Sequence, residues 1–123
     1  MIGGKTILTV DDSRTMREML LAALTDMGHR VVQADDGLVG LERLRERPAD
    51  LIITDINMPR LDGFGFIEEV RRDPRYRATP ILVLTTENHA SRKDRARRAG
   101  ATGWIVKPFD PAKLADAIRR VTA

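Results

Sequence analysis

Thr6-Ile7-Leu8-Thr9-Val10 runs straight into Asp11-Asp12-Ser13, and then into Met16, Met19, Leu20, Ala23, Leu24 and Met27. The first five residues are β-branched or leucine, which is the pattern of a short strand covered on both faces. The later set recurs at i, i+3, i+4, i+7, i+8 and i+11, the period of an amphipathic helix. Gly28 stands where such a helix takes a C-terminal glycine. This strand-then-helix unit repeats along the chain. Further strands are predicted over Arg30–Gln33, Leu51–Thr54, Ile81–Leu84 and Gly103–Val106. Helical stripes follow them: Leu38, Leu41 and Leu44, ended near Pro48; Phe66, Ile67 and Val70, stopped before Pro74; and Leu114, Ala117, Ile118 and Val121. Five such units in 123 residues predict an α/β fold, a doubly wound five-stranded parallel sheet with helices on both faces. The expected strand order is 2-1-3-4-5, taken from known doubly wound sheets of this size rather than from the residues themselves. In such sheets ligands bind beyond the carboxyl ends of the strands.

The fourth helix differs from the rest. Between His89 and Ala99 its apolar residues are only Ala90, Ala96 and Ala99. Alanine buries little area, so at about 25 cal/mol per Å² this helix is expected to be held weakly, as a solvated face or as an element that moves or docks a partner.

Charge and composition narrow the class. The chain carries 21 Lys+Arg and 18 Asp+Glu, a net +3. Arg71–Arg77 alone contributes +3 and Arg92–Arg98 contributes +4, so the remainder is acidic. The patch on the fourth helix reads as a docking surface, and the one after the third helix as solvated. With no cysteine, disulfides, thiolate nucleophiles and Cys-based metal sites are excluded. Met1-Ile2-Gly3-Gly4-Lys5 lacks a signal core, and no apolar run reaches the roughly 20 residues of a membrane span. A cytoplasmic, single-domain protein over residues 1–123, with no output domain, is expected.

The polar residues that do not fit a core fall at the strand ends. Asp11 and Asp12 follow the first strand, Asp55 the third, Thr85 the fourth and Lys107 the fifth. Each alone is an ordinary loop or cap residue. Together they bring three carboxylates, a hydroxyl and an ammonium to one rim. Two unit charges about 4 Å apart repel by roughly 4 kcal/mol at an effective dielectric near 20, and one lysine offsets only part of that. A divalent cation that prefers oxygen ligands is the natural remedy, and Mg²⁺ suits this set best. A site of this kind with open water positions suits a phosphoryl group, and phosphoryl transfer to a carboxylate needs mostly positioning and charge neutralisation. Asp55, alone at the end of a central strand and opposite the Asp11-Asp12 pair, is the candidate nucleophile.

Four blocks now line up. They are Val10-Asp11-Asp12-Ser13, then Asp55-Ile56-Asn57-Met58-Pro59 leading to Asp62-Gly63, then Thr85, then Lys107-Pro108-Phe109. In this order and spacing they resemble the receiver domains of two-component response regulators over essentially the whole chain. The opening Asp11-to-Arg17 stretch and Gly100-to-Phe109 are similar to chemotaxis regulators of the CheY type. The resemblance implies a CheY-like fold and a protein that is not an enzyme in the usual sense but assists its own phosphotransfer and autodephosphorylation. It implies that Asp55 accepts a phosphoryl group from a phosphohistidine on a CheA-like sensor histidine kinase. Asp12, Asp55 and the Asn57 backbone carbonyl would bind Mg²⁺, with Asp11 helping through water, and Thr85 and Lys107 would hold the phosphoryl oxygens. It also implies a cis peptide between Lys107 and Pro108, a switch made of Thr85 and Trp104, and tuning of dephosphorylation by Asn57 and Glu87. Trp104 stands where better-known members carry tyrosine; the plainer alternative is an indole that simply covers the last helix.

The expected partners are the kinase, a flagellar motor switch protein or other phospho-dependent target, and a phosphatase, with the chain itself a monomer. A phosphorelay intermediate or phosphate sink would use the same chemistry without a motor target. Direct nucleic-acid binding is disfavoured by only 4% aromatic residues and the lack of a DNA-reading motif.

Overall fold

A computed structural model describes residues 4–122; Met1–Gly3 and Ala123, with the expectations that fall on the two chain ends, lie outside the described residues. The elements alternate strictly: β1 (Thr6–Val10), α1 (Arg14–Asp26), β2 (Arg30–Ala34), α2 (Gly37–Glu46), β3 (Leu51–Thr54), α3 (Gly63–Arg72), a 3₁₀ turn (Pro74–Tyr76), β4 (Ile81–Thr85), α4 (Ala90–Ala99), β5 (Gly103–Val106) and α5 (Pro111–Thr122). All strand pairs are parallel, in the order β2-β1-β3-β4-β5. The expected strands are found, with β2 and β4 each one residue longer, so that Thr85 is the last residue of β4 rather than the first beyond it.

The period of two along each strand divides the core. Ile7, Leu51, Ile53, Leu82 and Leu84 face one layer, with Leu20 and Leu24 of α1 and Leu114 and Ile118 of α5. Leu8, Val10, Ile52, Ile81 and Val83 face the other, with α2, α3 and Ala96 of α4. Burying a leucine or isoleucine fully is worth about 1.5–3 kcal/mol, so strands covered on both faces account for the continuous apolar runs.

The starts of α1, α2 and α3 are fixed by side chains. Ser13 Oγ accepts from the Met16 N–H, Asp36 from Val39 and Asp62 from Gly65, at 3.2, 2.9 and 2.9 Å. Each such cap contributes about 1 kcal/mol. At the other ends Gly28 and Gly100 have φ of 93° and 122°, which residues with a Cβ rarely adopt.

Two expectations about the helices need correction. Of the α2 stripe, Leu44 is buried and Leu41 packs partly buried against the core, but Leu38 is 40% exposed. Gly37 and Gly40 complete the buried face, where a Cβ on Gly40 would stand 2.8 Å from the Phe66 ring and one on Gly37 2.7 Å from the Leu61 carbonyl. Nor does α4 rely on alanines alone. Arg95 and Arg92 lie over the buried Phe64 ring of α3, 4.1 and 5.3 Å from its centre, and such cation–π pairs contribute about 0.5–2 kcal/mol. Beyond its far end, the Gly100 carbonyl accepts from Arg71 Nε and Nη2 at 3.0 and 2.8 Å. Arg71 also donates to the Tyr76 and Thr79 carbonyls at 2.6 and 2.7 Å, so this member of the supposedly solvated patch is a structural staple. Burial holds its guanidinium below the usual arginine range.

Candidate functional site

The topology assembles the rim. Val10 pairs with Thr54 across β1 and β3, so Asp11 and Asp55 leave neighbouring strands side by side, and the Asp55 N–H donates to the Val10 carbonyl at 2.9 Å. Thr85 pairs with Val106, and the Lys107 N–H donates to the Thr85 carbonyl at 2.8 Å. The lysine's four-carbon stem then crosses the end of β4. Its Nζ lies 2.8 Å from Asp11 Oδ2 and 2.8 Å from Asp55 Oδ2. Oxygens of Asp11, Asp12 and Asp55 all fall within 4.8 Å of one another; Asp11 and Asp55 are buried and Asp12 is exposed.

The electrostatics follow from this packing. Burial pushes the Asp11 carboxyl above its ordinary value, against the opposing hydrogen bonds from Lys107 and the Ser13 N–H. Burial disfavours the Lys107 ammonium as well, but the two carboxylates outweigh it and hold its pKa above the usual lysine value. At 4.8 Å each carboxylate pair still repels by about 3–4 kcal/mol at an effective dielectric near 20. One shared ammonium cannot neutralise three carboxylates. An all-oxygen donor set with one exposed member, open to water, fits Mg²⁺ and not a soft or nitrogen-seeking metal.

The backbone around Asp55 is held as firmly as its side chain. The Ile56 N–H donates to Asp55 Oδ1 at 2.6 Å, and the Gly63 N–H donates to the Ile56 carbonyl at 2.8 Å. A Cβ on Gly63 would meet the Asp55 carbonyl at 2.3 Å, which explains why the chain needs glycine at the start of α3. The Lys107–Pro108 peptide is cis.

Between residues 7 and 119 the chain matches the family model of the response regulator receiver domain. The chain belongs to the response regulator receiver family. This receiver is 37% identical over 116 residues to chemotaxis protein CheY-3 of Vibrio cholerae, covering 94% of this chain and 89% of that protein. It is also 37% identical over 118 residues to CheY1 of Helicobacter pylori, covering 94% of each. Among solved structures, V. cholerae CheY4 superposes with a TM-score of 0.93 at 42% identity, covering 97% of this chain and 99% of that one. The receiver domain of a Pseudomonas aeruginosa sensor histidine kinase, with a magnesium ion coordinated in its active site cleft, superposes at 0.90 with 28% identity, covering 98% of each chain. As a CheY-type response regulator the protein is not a classical enzyme.

The receiver's remaining candidate residues form a second group beside the rim. Asn57 Nδ2 donates to Glu87 Oε2 at 3.1 Å, and the Glu87 N–H donates to Thr85 Oγ1 at 3.4 Å. Hydrogen bonding from Asn57 holds the Glu87 carboxyl below the usual range, with Arg92 adding to it. The Trp104 indole N–H donates to the Glu87 carbonyl at 3.1 Å. Its ring is half-buried and packs on the α4 side of the sheet, away from α5, so the plainer expectation of an indole covering the last helix does not hold.

Two arginines at the site escaped the sequence reading. Arg17 Nη1 donates to the Asp11 carbonyl at 2.7 Å from the first turn of α1, and Arg92 reaches both Asn57 and Glu87 from α4. Both act from helices, where spacing alone does not distinguish an inward-reaching arginine from a solvated one. A groove of about 760 Å³ between α1 and the start of α5, lined by Met19, Met27 and Phe109 among others, lies apart from this chemistry.

Proposed function

We propose that the protein is a phosphorylation-controlled signalling switch in which Asp55 is the phosphoacceptor and the donor is a phosphohistidine of a CheA-like sensor kinase. The observation that carries this reading is the single Lys107 ammonium shared at 2.8 Å between Asp11 and Asp55, beside the exposed Asp12. An Asp55 oxygen attacks phosphorus, the bond from phosphorus to the imidazole nitrogen breaks, and its electron pair returns to the ring. Lys107 is within reach of the oxygens that gain charge, and Thr85 offers a hydroxyl on the neighbouring strand. Asp11, Asp12, Asp55 and the Asn57 carbonyl would hold Mg²⁺. When bound, that ion neutralises phosphoryl charge on the rim. Asn57 and Glu87, bonded to each other, border the approach that a hydrolytic water must take.

The output follows from charge and connection. A phosphoryl group adds about two negative charges to the rim, drawing Lys107 and the Thr85 hydroxyl toward it. Thr85 and Trp104 are joined through Glu87, so a shift in the loop after β4 moves the indole and the start of α4. A target that prefers the rearranged surface of α4, β5 and α5 gains its differential affinity for that state. The likeness to chemotaxis regulators supports the flagellar motor switch as that target, in the cytoplasm, with the receiver as a single domain and a monomer.

Intact-mass measurement after incubation with Mg²⁺ and acetyl phosphate tests the chemistry. One phosphoryl group is expected on the wild type and none on Asp55→Asn. Persistent labelling of Asp55→Asn would falsify the assignment.

A further inference from the structure

Arg92 lies in the first turn of α4, yet it touches both loops that border Asp55. Its Nη2 donates to the Asn57 side-chain carbonyl at 3.4 Å, and its Nε stands 3.5 Å from Glu87 Oε1. Asn57 Nδ2 donates to Glu87 Oε2 at 3.1 Å, which closes a ring of three side chains from three elements. The Arg92 guanidinium also rests over Phe64, whose ring is buried. Asn57 follows Asp55 by two residues and Glu87 follows Thr85 by two, and β3 and β4 are neighbours in the sheet. The ring of contacts therefore runs from one loop to the other at the mouth between Asp55 and Thr85.

An asparagine–glutamate hydrogen bond near water is worth little alone, because water competes for both groups. A planar guanidinium that reaches both partners with separate N–H groups restricts them together. The Arg92 and Glu87 side chains are only 34% and 26% exposed, so this restriction acts where screening is reduced.

We infer that Arg92 is a positioning residue that locks Asn57 to Glu87 across the mouth between β3 and β4 and so slows the access of water to a phosphoryl group on Asp55. The inference rests on the phosphoacceptor reading above. In the step it controls, a water oxygen attacks phosphorus, the bond from phosphorus to the Asp55 oxygen breaks, the carboxylate is regenerated and the water's proton leaves on the phosphate. Without the guanidinium both gatekeeping side chains are free, and water enters more often. Arg95, closer to the same Phe64 ring, keeps α4 docked, so loss of Arg92 is felt first at the loops.

The test compares wild type, Arg92→Ala, Arg92→Lys, Glu87→Ala and the Arg92→Ala/Glu87→Ala double variant. Each is labelled with acetyl phosphate and Mg²⁺, freed of donor, and followed by intact mass. Arg92→Ala is expected to lose its label about three- to ten-fold faster than wild type. Arg92→Lys should recover part of the difference, because an ammonium can pair with Glu87 but cannot fork to Asn57. The double variant should be no faster than the faster single, since both remove one ring. An unchanged or slower rate in Arg92→Ala, or effects that multiply, would overturn the inference. The unphosphorylated protein supplies an independent measurement, hydrogen exchange of the Asn57 side-chain amide by NMR. It should speed up several-fold in Arg92→Ala and not in Arg95→Ala; no change in Arg92→Ala overturns the lock. A wild type that takes no label refutes the phosphoacceptor reading, and the amide measurement then decides the lock alone.

Discussion

Thr9 lies in the middle of β1, fully buried, and its hydroxyl has no hydrogen-bond partner among the described residues. An unpaired buried hydroxyl costs about 1–3 kcal/mol relative to a satisfied one. Valine keeps the branched shape and the strand preference while removing the polar atom. Thr9→Val should therefore raise the unfolding free energy by about 1 kcal/mol, read as a higher urea midpoint with unchanged slope; a lower midpoint would mean that the hydroxyl is satisfied. The same scale shows what can be read without a structure. Asp11, Asp12, Asp55, Thr85 and Lys107 were legible because each stands at or just beyond a strand end, and a parallel sheet gathers its strand ends on one side. Arg17, Arg71 and Arg92 were not, because an arginine stem is long enough to snorkel in either direction from its backbone. Only the packing around each decides which way it goes.

At the scale of elements, strands were easier to place than helix faces. A strand covered on both sides announces itself by a continuous apolar run, whereas the face a helix buries depends on what approaches it. In α2 part of that face is glycine, Gly37 and Gly40 packing closely against Leu61 and Phe66 beside the buried Leu44, and hydropathy could not show it. The same helix is stapled at its start to the loop after β3. Asp36 caps α2 through the Val39 N–H and accepts from Arg60 Nε at 2.6 Å, while Arg60 holds a positive φ of 66°. Burial tends to raise the Asp36 carboxyl, but Arg60 and the Val39 N–H outweigh it and hold it below the ordinary 3.8. As pH falls, the unfolded chain takes up this proton before the folded one does. The stabilisation is thus complete above the ordinary carboxylate range and lost as pH drops through the depressed folded value. Asparagine caps a helix about as well as aspartate, so Asp36→Asn isolates the charge. The variant should unfold more easily than wild type at pH 7, and the gap should close below about pH 4. A gap of constant size across that range would assign the loss to the cap geometry instead of the ion pair.

Across the whole molecule, the net charge of +3 conceals an opposite local field. The arginine-rich segments lie on α4 and around the end of α3, whereas the strand-end rim holds three carboxylates against one ammonium. Arg92 of the α4 segment does reach the loops beside the rim, but there its charge is paired with Glu87, and charges beyond a Debye length of about 8–10 Å at physiological salt are largely screened, so a cation approaching the rim meets mainly the rim's own charge. A basic protein can therefore attract Mg²⁺. Binding to the folded state alone stabilises by RT ln(1 + [L]/Kd), which reaches about 2.7 kcal/mol at one hundred times Kd. Wild type should show a denaturation midpoint that climbs with Mg²⁺ and does not climb with KCl at matched ionic strength. Asp12→Asn should abolish the climb with little cost to the metal-free fold, because Asp12 is exposed and makes no ion pair among the described residues. Removing one of three repelling carboxylates should, if anything, raise the metal-free midpoint. Unfolding can be followed by the fluorescence of Trp104, the single tryptophan, whose indole is tied to the loop after β4. A Mg²⁺-dependent midpoint that survives in Asp12→Asn would move the cation site off this rim, and the charge-neutralising role proposed for it would fall with it.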